Sequence, residues 1–424
     1  MSAVATGADP AAVFESVRSH FSGGAALGAK MAGLDAVEVG ADGAVVRLSD
    51  GREALDLGSY GVTLLGHRHP AVIAAVEDQL GRMPAATRTL ANPATAAMAA
   101  RVAAAVDPRL SRVWLGSDGA DAVEVALKLA RRASGRPRVL AVEGGFHGKT
   151  LGALALTWNP QFRTGLDGHL GGVSHVARDD ADTVRREVAR GDVAALLFEP
   201  VQGESGVREL DRRTLERWAA DARAGGAFVI SDEIQSGLRR CGPVSLAVEL
   251  DLEPDGVLLG KALGGGVMPL SALVASERLY APLAKDPTWH TATFGGHPLA
   301  CAAGLAALDA VDEHAPAAED LATRFDRHLA ELRDRHGDVL AEVGGRGLMR
   351  GLVLRSPGAA GSLLVELAQR GVLVSPCLGA RRTVRLLPPM VMTPDQLDRA
   401  MEICDEALGA AAAFAEEGES DELR

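Results

Sequence analysis

The sequence predicts an α/β fold with a large, mostly parallel sheet and a second, smaller α+β domain. Short, continuous apolar runs alternate with amphipathic helical segments through the middle of the chain. Such runs between helices are typical of a parallel sheet that is covered on both faces. After about residue 305 the pattern changes to one long helical stretch followed by short strands, which predicts the smaller domain.

The predicted strands of the large sheet each end beside glycine or polar residues. In chain order, the strands are Val113–Leu115, Arg138–Val142, Val193–Phe198, Ala227–Ser231 and Val257–Leu259, with helices at Asp121–Ala133 and Thr214–Ala224. Ligands of parallel sheets bind beyond the carboxyl ends of the strands. We therefore expect one sheet edge to gather Gly119, Phe146, His147, Glu199, Asp232 and Lys261.

The smaller domain is predicted from two helices with short strands between them. These elements are Leu305–Leu332, Leu348–Leu354, Val372–Val374, Thr383–Leu387 and a last helix from Pro394 to about Phe414. We expect residues 1–50 to join this domain, residues 51–305 to form the large domain and residues 306–415 to form the small one. The acidic tail at 416–424 is expected to be disordered.

Composition argues against several classes of protein. The 424 residues are 47% hydrophobic and 24% charged, which indicates a globular chain with a large core. The net charge is −12 and basic residues form no run, so we expect neither nucleic acid nor an anionic membrane as a partner. The four cysteines are scattered, which argues for a reducing compartment and against a metal site. With no secretory signal or spanning segment, the expected location is the cytoplasm.

Lys261 is the most informative single residue. The chain has only five lysines, and this one stands between the apolar run that begins at Gly256 and the glycine run that ends at Gly266. An amine can lose its proton and form a Schiff base, whereas a guanidinium cannot. The alternative is an ordinary solvated lysine at a strand end.

Three features together suit pyridoxal phosphate. Its aldehyde takes a lysine amine, its ring nitrogen stays protonated when a carboxylate faces it, and its phosphate binds N–H groups at a helix N-terminus. Lys261, Asp232 and the turn at Gly119-Ala120 can fill these roles. Each also has an ordinary structural explanation, such as a capping carboxylate or a helix start.

The segment Gly144-Gly-Phe-His-Gly-Lys-Thr150 also resembles a nucleotide-binding P-loop. A P-loop needs four residues between its first glycine and Gly-Lys-Thr, and Gly144 is one residue too close. The spacing therefore argues against an NTPase.

In combination, the motifs resemble those of class III (subgroup II) aminotransferases, which are pyridoxal-phosphate enzymes of fold type I. The resemblance runs from about Leu55 to Pro389. The motifs that carry it are Leu65-Gly-His-Arg-His-Pro70, Gly145-Phe-His-Gly-Lys-Thr150, Glu199-Pro-Val-Gln-Gly-Glu204, Ser231-Asp-Glu-Ile-Gln-Ser-Gly237, Gly260-Lys-Ala-Leu-Gly-Gly-Gly266, His290–Cys301 and Val384-Arg-Leu-Leu-Pro-Pro389.

The resemblance implies a role for each matching cofactor residue. Lys261 would hold the cofactor as a Schiff base and move protons, and Asp232 would pair with the ring nitrogen. Gln235 would bond the ring hydroxyl, while Phe146 and Ile234 would cover the two ring faces. The implied cofactor-binding set is Gly119, Ala120, Phe146, His147, Asp232, Ile234, Gln235, Lys261 and Thr293.

The resemblance also implies an assembly and an acceptor site. Thr293 would bind the phosphate of the neighbouring subunit's cofactor, which implies an obligate homodimer and leaves a tetramer open. Arg385 would bind the carboxylate of a 2-oxo acid acceptor. Glu204 would pair with Arg385 when the bound substrate lacks that carboxylate.

The substrate is expected to carry a terminal amine. The glycine-rich segments look most like putrescine aminotransferases, and Tyr60 matches a substrate-contacting tyrosine of ornithine aminotransferases. The expected substrate-binding residues are Tyr60, Lys149, Glu199, Glu204 and Arg385. Transfer from a diamine or diamino acid to 2-oxoglutarate follows. Open alternatives are a racemase, an aminomutase or a decarboxylase at the same site, and a specialised, carrier-bound substrate.

Four positions depart from the usual pattern of the family. Asp118 stands where Ser or Asn is commoner, and its carboxylate would repel a phosphate unless it turns away. Asp121 replaces a usual glutamate, Lys149 replaces a common arginine, and Arg239 replaces a glycine. These departures suggest an unusual substrate end of the pocket.

Overall fold

A computed structural model describes residues 9–22, 24 and 36–414, so the predicted disordered tail at 416–424 lies outside the described residues. The chain divides into two compact units. The first unit is Met1–His69 with Pro316–Arg424, and the second is Pro70–Ala315. The boundaries thus fall at residues 69 and 315, later in the chain than the expected 50 and 305.

The described helices and strands are numbered in chain order. The α-helices are α1 (Pro10–His20), α2 (Pro70–Arg82), α3 (Pro93–Val106), α4 (Gly119–Ser134), α5 (Leu151–Leu156), α6 (Thr183–Val188), α7 (Arg212–Ala224), α8 (Leu246–Glu249), α9 (Glu277–Lys285), α10 (Pro298–Arg335), α11 (Pro357–Gln369) and α12 (Pro394–Ala411). The strands are β1 (Glu38–Asp42), β2 (Val45–Leu48), β3 (Glu53–Asp56), β4 (Arg112–Gly116), β5 (Arg138–Val142), β6 (Val173–Val176), β7 (Val193–Phe198), β8 (Val201–Gln202), β9 (Arg208–Glu209), β10 (Phe228–Asp232), β11 (Gly256–Leu259), β12 (Ser271–Ala275), β13 (Leu340–Arg346), β14 (Met349–Leu354), β15 (Val372–Leu373), β16 (Ser375–Cys377) and β17 (Ala380–Leu386).

The second unit contains a seven-stranded sheet in the order β4-β12-β11-β10-β7-β5-β6. Strands β11, β10, β7, β5 and β6 pair in parallel, whereas β12 is antiparallel to both of its neighbours, β11 and β4. The predicted mostly parallel sheet is confirmed. The sequence-based prediction did not include β6 or β12.

Both faces of this sheet are covered by apolar side chains. Along β5, Val139 and Ala141 face a cluster that includes the apolar residues of α4. Leu140 and Val142 face the opposite cluster, which includes the fully buried Trp218 of α7. Because successive strand residues point to opposite faces, a strand buried on both sides must be apolar throughout. This is why the continuous apolar runs in the sequence predicted these strands.

Helix α4 begins two residues before its predicted start because Asp118 caps it. The Asp118 carboxylate accepts a hydrogen bond of 3.1 Å from the backbone N–H of Asp121. Gly135 ends the helix in the left-handed conformation, with φ of 69°. The departure from the family pattern at position 118 therefore has a structural role, since aspartate is among the preferred N-cap residues.

The first unit contains two four-stranded sheets. In one, β1, β2 and β3 are antiparallel and β15 adds in parallel to β3. The other has the order β13-β14-β17-β16 and is antiparallel throughout. Helix α12 starts with a capping box between Thr393 and Gln396. None of the described helices in either unit is long and apolar enough to cross a bilayer.

Candidate cofactor site at the carboxyl edge of the sheet

The polar residues that follow the parallel strands of the second unit meet around one cavity of about 220 Å³. Its walls come from the ends of β5, β7, β10 and β11 and from the start of α4. The lining residues are Gly119, Ala120, Phe146, His147, Gly148, Glu199, Glu204, Asp232, Ile234, Gln235 and Lys261. The six residues that the sequence assigned to one sheet edge are all among them.

Lys261 follows β11 and begins a short 3-10 turn that ends at Gly264. Its φ is 45°, in the left-handed region, where a residue with a Cβ atom is strained. Such outliers persist only where the surrounding structure determines them, and they cluster at functional sites. The backbone therefore places an amine on the cavity wall in a conformation that local propensity disfavours.

Asp232 and His147 form a buried pair. Asp232 is the last residue of β10, and its Oδ2 atom lies 2.7 Å from Nδ1 of His147. Its Oδ1 accepts a hydrogen bond of 3.2 Å from the backbone N–H of Ile234. Burial alone lowers the pKa of His147, but the hydrogen bond and charge of Asp232, together with the charge of Glu199, raise it above its ordinary value. The bonds from His147 and Ile234 therefore fix the direction of the Asp232 carboxylate.

Glu199 connects the ends of β5 and β7. Its Oε1 accepts a hydrogen bond of 2.8 Å from the N–H of Phe146, and its Oε2 accepts one of 3.2 Å from Gly203. Burial raises the pKa of Glu199 to about 7, Asp232 acts in the same direction, and His147 opposes it. This carboxyl group therefore titrates close to neutral pH.

The start of α4 also lines the cavity, and its partial positive charge is opposite in sign to the charge of an ionised carboxylate. The first N–H groups of a helix lack partners within the helix, and with the helix dipole they attract anions. A Cβ atom on Gly119 would lie only 2.9 Å from Cδ1 of Ile234. Glycine therefore lets Ile234 lie against the helix start. The Asp118 carboxylate bonds the N–H of Asp121, which answers the sequence-based concern about repulsion.

These groups fit pyridoxal phosphate. An amine, a carboxylate held by a histidine, two apolar side chains and a helix N-terminus line the same cavity. They match the aldehyde, the ring nitrogen, the ring faces and the phosphate of that cofactor, respectively. The donor set of the cavity and the close approach of Ile234 to Gly119 carry this match.

Two other expected residues of the second unit do not line the cavity. Lys149 is exposed, and its Nζ lies 4.3 Å from the ring centroid of Phe162 and 6.0 Å from that of Phe146. Thr293 is also exposed. Its carbonyl oxygen accepts a hydrogen bond of 3.0 Å from Nη1 of Arg88, which also reaches the carbonyl groups of Ala292 and Gly295.

Tyr60 and Arg385 belong to the first unit. Tyr60 is 60% exposed and lies in a short 3-10 turn with φ of 51°. Arg385 is fully buried on β17, where it pairs with Gly351 on β14 and with Ser375 on β16.

Three residues that shape this region were not predicted from the sequence. Gly148 lines the cavity with φ of 123°, and Thr157 accepts a hydrogen bond of 2.9 Å from the N–H of His147 and donates one to the Gly148 carbonyl. Arg88 holds the segment that contains Thr293. Gly148 could have been found, because it lies inside a motif already singled out. Thr157 and Arg88 lie outside the motifs, and the partners of Arg88 are also distant in sequence.

Known proteins resemble this chain in sequence and in fold. The sequence model of the family described as aminotransferase class-III matches residues 30–408. The chain is 37% identical over 371 residues to the putrescine aminotransferase of Pectobacterium atrosepticum, covering 85% of this chain and 79% of the relative. Ornithine aminotransferase from Toxoplasma gondii superposes with a TM-score of 0.87 at 28% identity, covering 96% of both chains. An amine transaminase from an uncultivated Pseudomonas species, with pyridoxal phosphate bound, gives 0.81 at 28% identity, covering 90% of this chain and 95% of that one.

Proposed function

Because this chain belongs to the class-III aminotransferase family, whose members are pyridoxal-phosphate-dependent transaminases of fold type I, we propose that it moves a terminal amino group to 2-oxoglutarate. The donor is a diamine or diamino acid resembling putrescine or ornithine. The observation that carries the site assignment is the single cavity that holds Lys261, the Asp232–His147 pair and the start of α4. The likeness to a putrescine aminotransferase over 85% of the chain supports this class of donor.

When bound at Lys261, pyridoxal phosphate would supply a conjugated ring able to take up electron density from the substrate. Lys261 holds the cofactor and then carries the proton on Nζ to and from the substrate. Asp232 would face the ring nitrogen and favour its protonated form, and the hydrogen bond with His147 holds the Asp232 carboxylate in direction.

The family motifs assign the other cofactor contacts, and the lining of the cavity supports them. Backbone N–H groups of Gly119 and Ala120 would bind the phosphate at the start of α4. Phe146 and Ile234 would exclude water from the two ring faces, and Gln235 would bond the ring hydroxyl.

Substrate recognition is assigned by the family motifs. Arg385 binds the acceptor carboxylate through two parallel hydrogen bonds, a task suited to guanidinium. Tyr60, Lys149, Glu199 and Glu204 contact the substrate. Thr293 binds the phosphate of the cofactor in a second copy of the chain, so the active enzyme is a homodimer. The chain works in the cytoplasm.

A donor screen tests this proposal. Purified protein is mixed with 2-oxoglutarate and one donor at a time, drawn from diamines, diamino acids and ω-amino acids, and glutamate is measured. We expect a yellow wild type that forms glutamate with at least one terminal amine. Lys261→Ala should bind the cofactor without turnover. Lys285→Ala, on the exposed last residue of α9, is the matched control and should retain activity.

Two outcomes would contradict the proposal. Retained turnover in Lys261→Ala would remove the assigned mechanism. Isomerisation or decarboxylation of a single substrate, with no glutamate formed from any donor, would instead favour the racemase, aminomutase or decarboxylase alternatives. Activity confined to a carrier-bound amine would move the donor to the specialised class.

A further inference from the structure

A buried carboxylate holds the turn that carries Tyr60. Asp56 ends β3, and its Oδ2 accepts hydrogen bonds from the Ser59 hydroxyl (2.6 Å), the Thr63 hydroxyl (3.1 Å) and Nε2 of His67 (2.8 Å). Its Oδ1 accepts a bond of 2.9 Å from the N–H of Gly58. The Asp56 side chain thus accepts hydrogen bonds from four residues of the segment that follows it.

The loop needs such support because its backbone is strained. Ser59 and Tyr60 are adjacent residues with Cβ atoms, and their φ values are 41° and 51°. A residue with a Cβ atom is strained in this left-handed region. The Tyr60 side chain is 60% exposed, so packing of its ring does not offset the strain. The bonds from Asp56 to the Gly58 N–H and the Ser59 hydroxyl stabilise this backbone conformation.

The same loop is joined to the strand that carries Arg385. The carbonyl of Leu57 accepts a hydrogen bond of 2.7 Å from the N–H of Leu387, two residues beyond Arg385. The N–H of Met390 donates a bond of 2.8 Å to the carbonyl of Leu64. The Tyr60 turn and the end of β17 are therefore parts of one hydrogen-bonded structure within the first unit.

The charge state of Asp56 suits this role. Burial by itself raises the pKa of Asp56, but the bonds from His67, Ser59 and Gly58 hold it below its ordinary value. Asp56 is therefore an ionised acceptor, and its bonds are charge-assisted.

We propose that Asp56 is a positioning residue for donor selection: its four hydrogen bonds into the loop fix Tyr60 in the left-handed conformation that meets the donor. The inference rests on the proposed assignment of Tyr60 to the substrate. Loss of the Asp56 bonds releases Tyr60 into several conformations, and the binding of the donor must then restore the order. The entropy cost falls on the donor and leaves the cofactor unaffected.

The test compares Asp56→Asn, Ser59→Ala and Tyr60→Ala, singly and combined, in the full-length holoenzyme. Asp56→Asn replaces the Oδ2 acceptor by a donor, and Ser59→Ala removes one bond while keeping the carboxylate. Ser49→Ala is the control, because the bond that its hydroxyl accepts comes from the N–H of Val37 and not from the loop after Asp56. The readouts are kcat and KM for donor and acceptor separately, the visible absorbance of the bound cofactor, and the thermal midpoint.

We expect Asp56→Asn to lower kcat/KM for the donor about ten-fold, through KM, with unchanged cofactor absorbance and acceptor KM. Ser59→Ala should act in the same direction, by about three-fold. In the Tyr60→Ala background both substitutions should lose this effect, because they act through the tyrosine.

Three results would overturn the inference, and each identifies a different failure. If Tyr60→Ala lowers kcat/KM for the donor but Asp56→Asn and Ser59→Ala do not, the positioning role fails and the Tyr60 assignment stands. If Tyr60→Ala has no effect, the assignment fails and the inference falls with it. Equal losses for donor and acceptor, unchanged in the Tyr60→Ala background, would reveal a merely structural carboxylate.

Discussion

Glu199→Gln should change how the stability of this protein depends on pH. The side chain is buried, and both of its oxygens accept backbone N–H bonds, at 2.8 Å from Phe146 and 3.2 Å from Gly203. Burial raises the pKa of Glu199 from 4.5 to about 7. Glutamine keeps the shape of the side chain and removes its titration.

The direction of this pH dependence is set by whether the folded or the unfolded state binds the Glu199 proton more tightly. Between pH 4.5 and about 7 the folded protein keeps the Glu199 proton while the unfolded chain has released it. Wild-type stability therefore falls, relative to Glu199→Gln, as the pH rises through this window, and the difference is constant above it. A shift from 4.5 to about 7, at about 1.4 kcal/mol per unit, amounts to about 3 kcal/mol.

The assay is denaturant unfolding of both proteins at pH 5 and pH 8, with protein and cofactor concentrations held fixed. We expect the free energy of unfolding of Glu199→Gln to gain about 3 kcal/mol on wild type between the two pH values. The matched control is Glu216→Gln on the exposed face of α7, which should follow wild type. A difference between wild type and Glu199→Gln that is the same at both pH values would refute the argument from burial.

Three further predictions concern residues around the site. Asp118→Ala removes the N-cap of α4 and should lower the free energy of unfolding by about 1 kcal/mol, measured in urea. Gly119→Ala should weaken cofactor binding about ten-fold in an absorbance titration, because its Cβ would lie 2.9 Å from Ile234 Cδ1. Arg88→Ala removes three hydrogen bonds to backbone carbonyls and should speed limited proteolysis within residues 292–296, with the cut sites read by mass spectrometry.

The large sheet could be predicted because its strands carry a local signal. The predicted ranges Arg138–Val142 and Val193–Phe198 are those of β5 and β7 in the structure. Strand β12 could not be assigned to its place between β4 and β11, because its antiparallel pairing with β4 joins segments far apart in the chain. Apolar runs reveal burial on both faces, but they contain no information on strand order.

The site was predictable to the level of residue types at one sheet edge. A lysine, an aspartate and a glycine-rich helix start were expected to meet there, and they line one cavity. The contacts of Thr157 and Arg88 were missed because each side chain bonds a loop outside its own element. The charge on Asp118 raised a question that only the cap geometry of α4 answered.

Taken alone, the sequence determined the chemistry available to this protein, because reactivity belongs to residue types such as the amine of Lys261. The neighbours of each reactive group, in contrast, are set by the tertiary structure. It places Nδ1 of His147 2.7 Å from Oδ2 of Asp232, and it joins the turn that follows Asp56 to the end of β17 by hydrogen bonds. Hydrogen bonds and burial of this kind depend on residues far apart in the chain, and they set the charge and direction of each side chain.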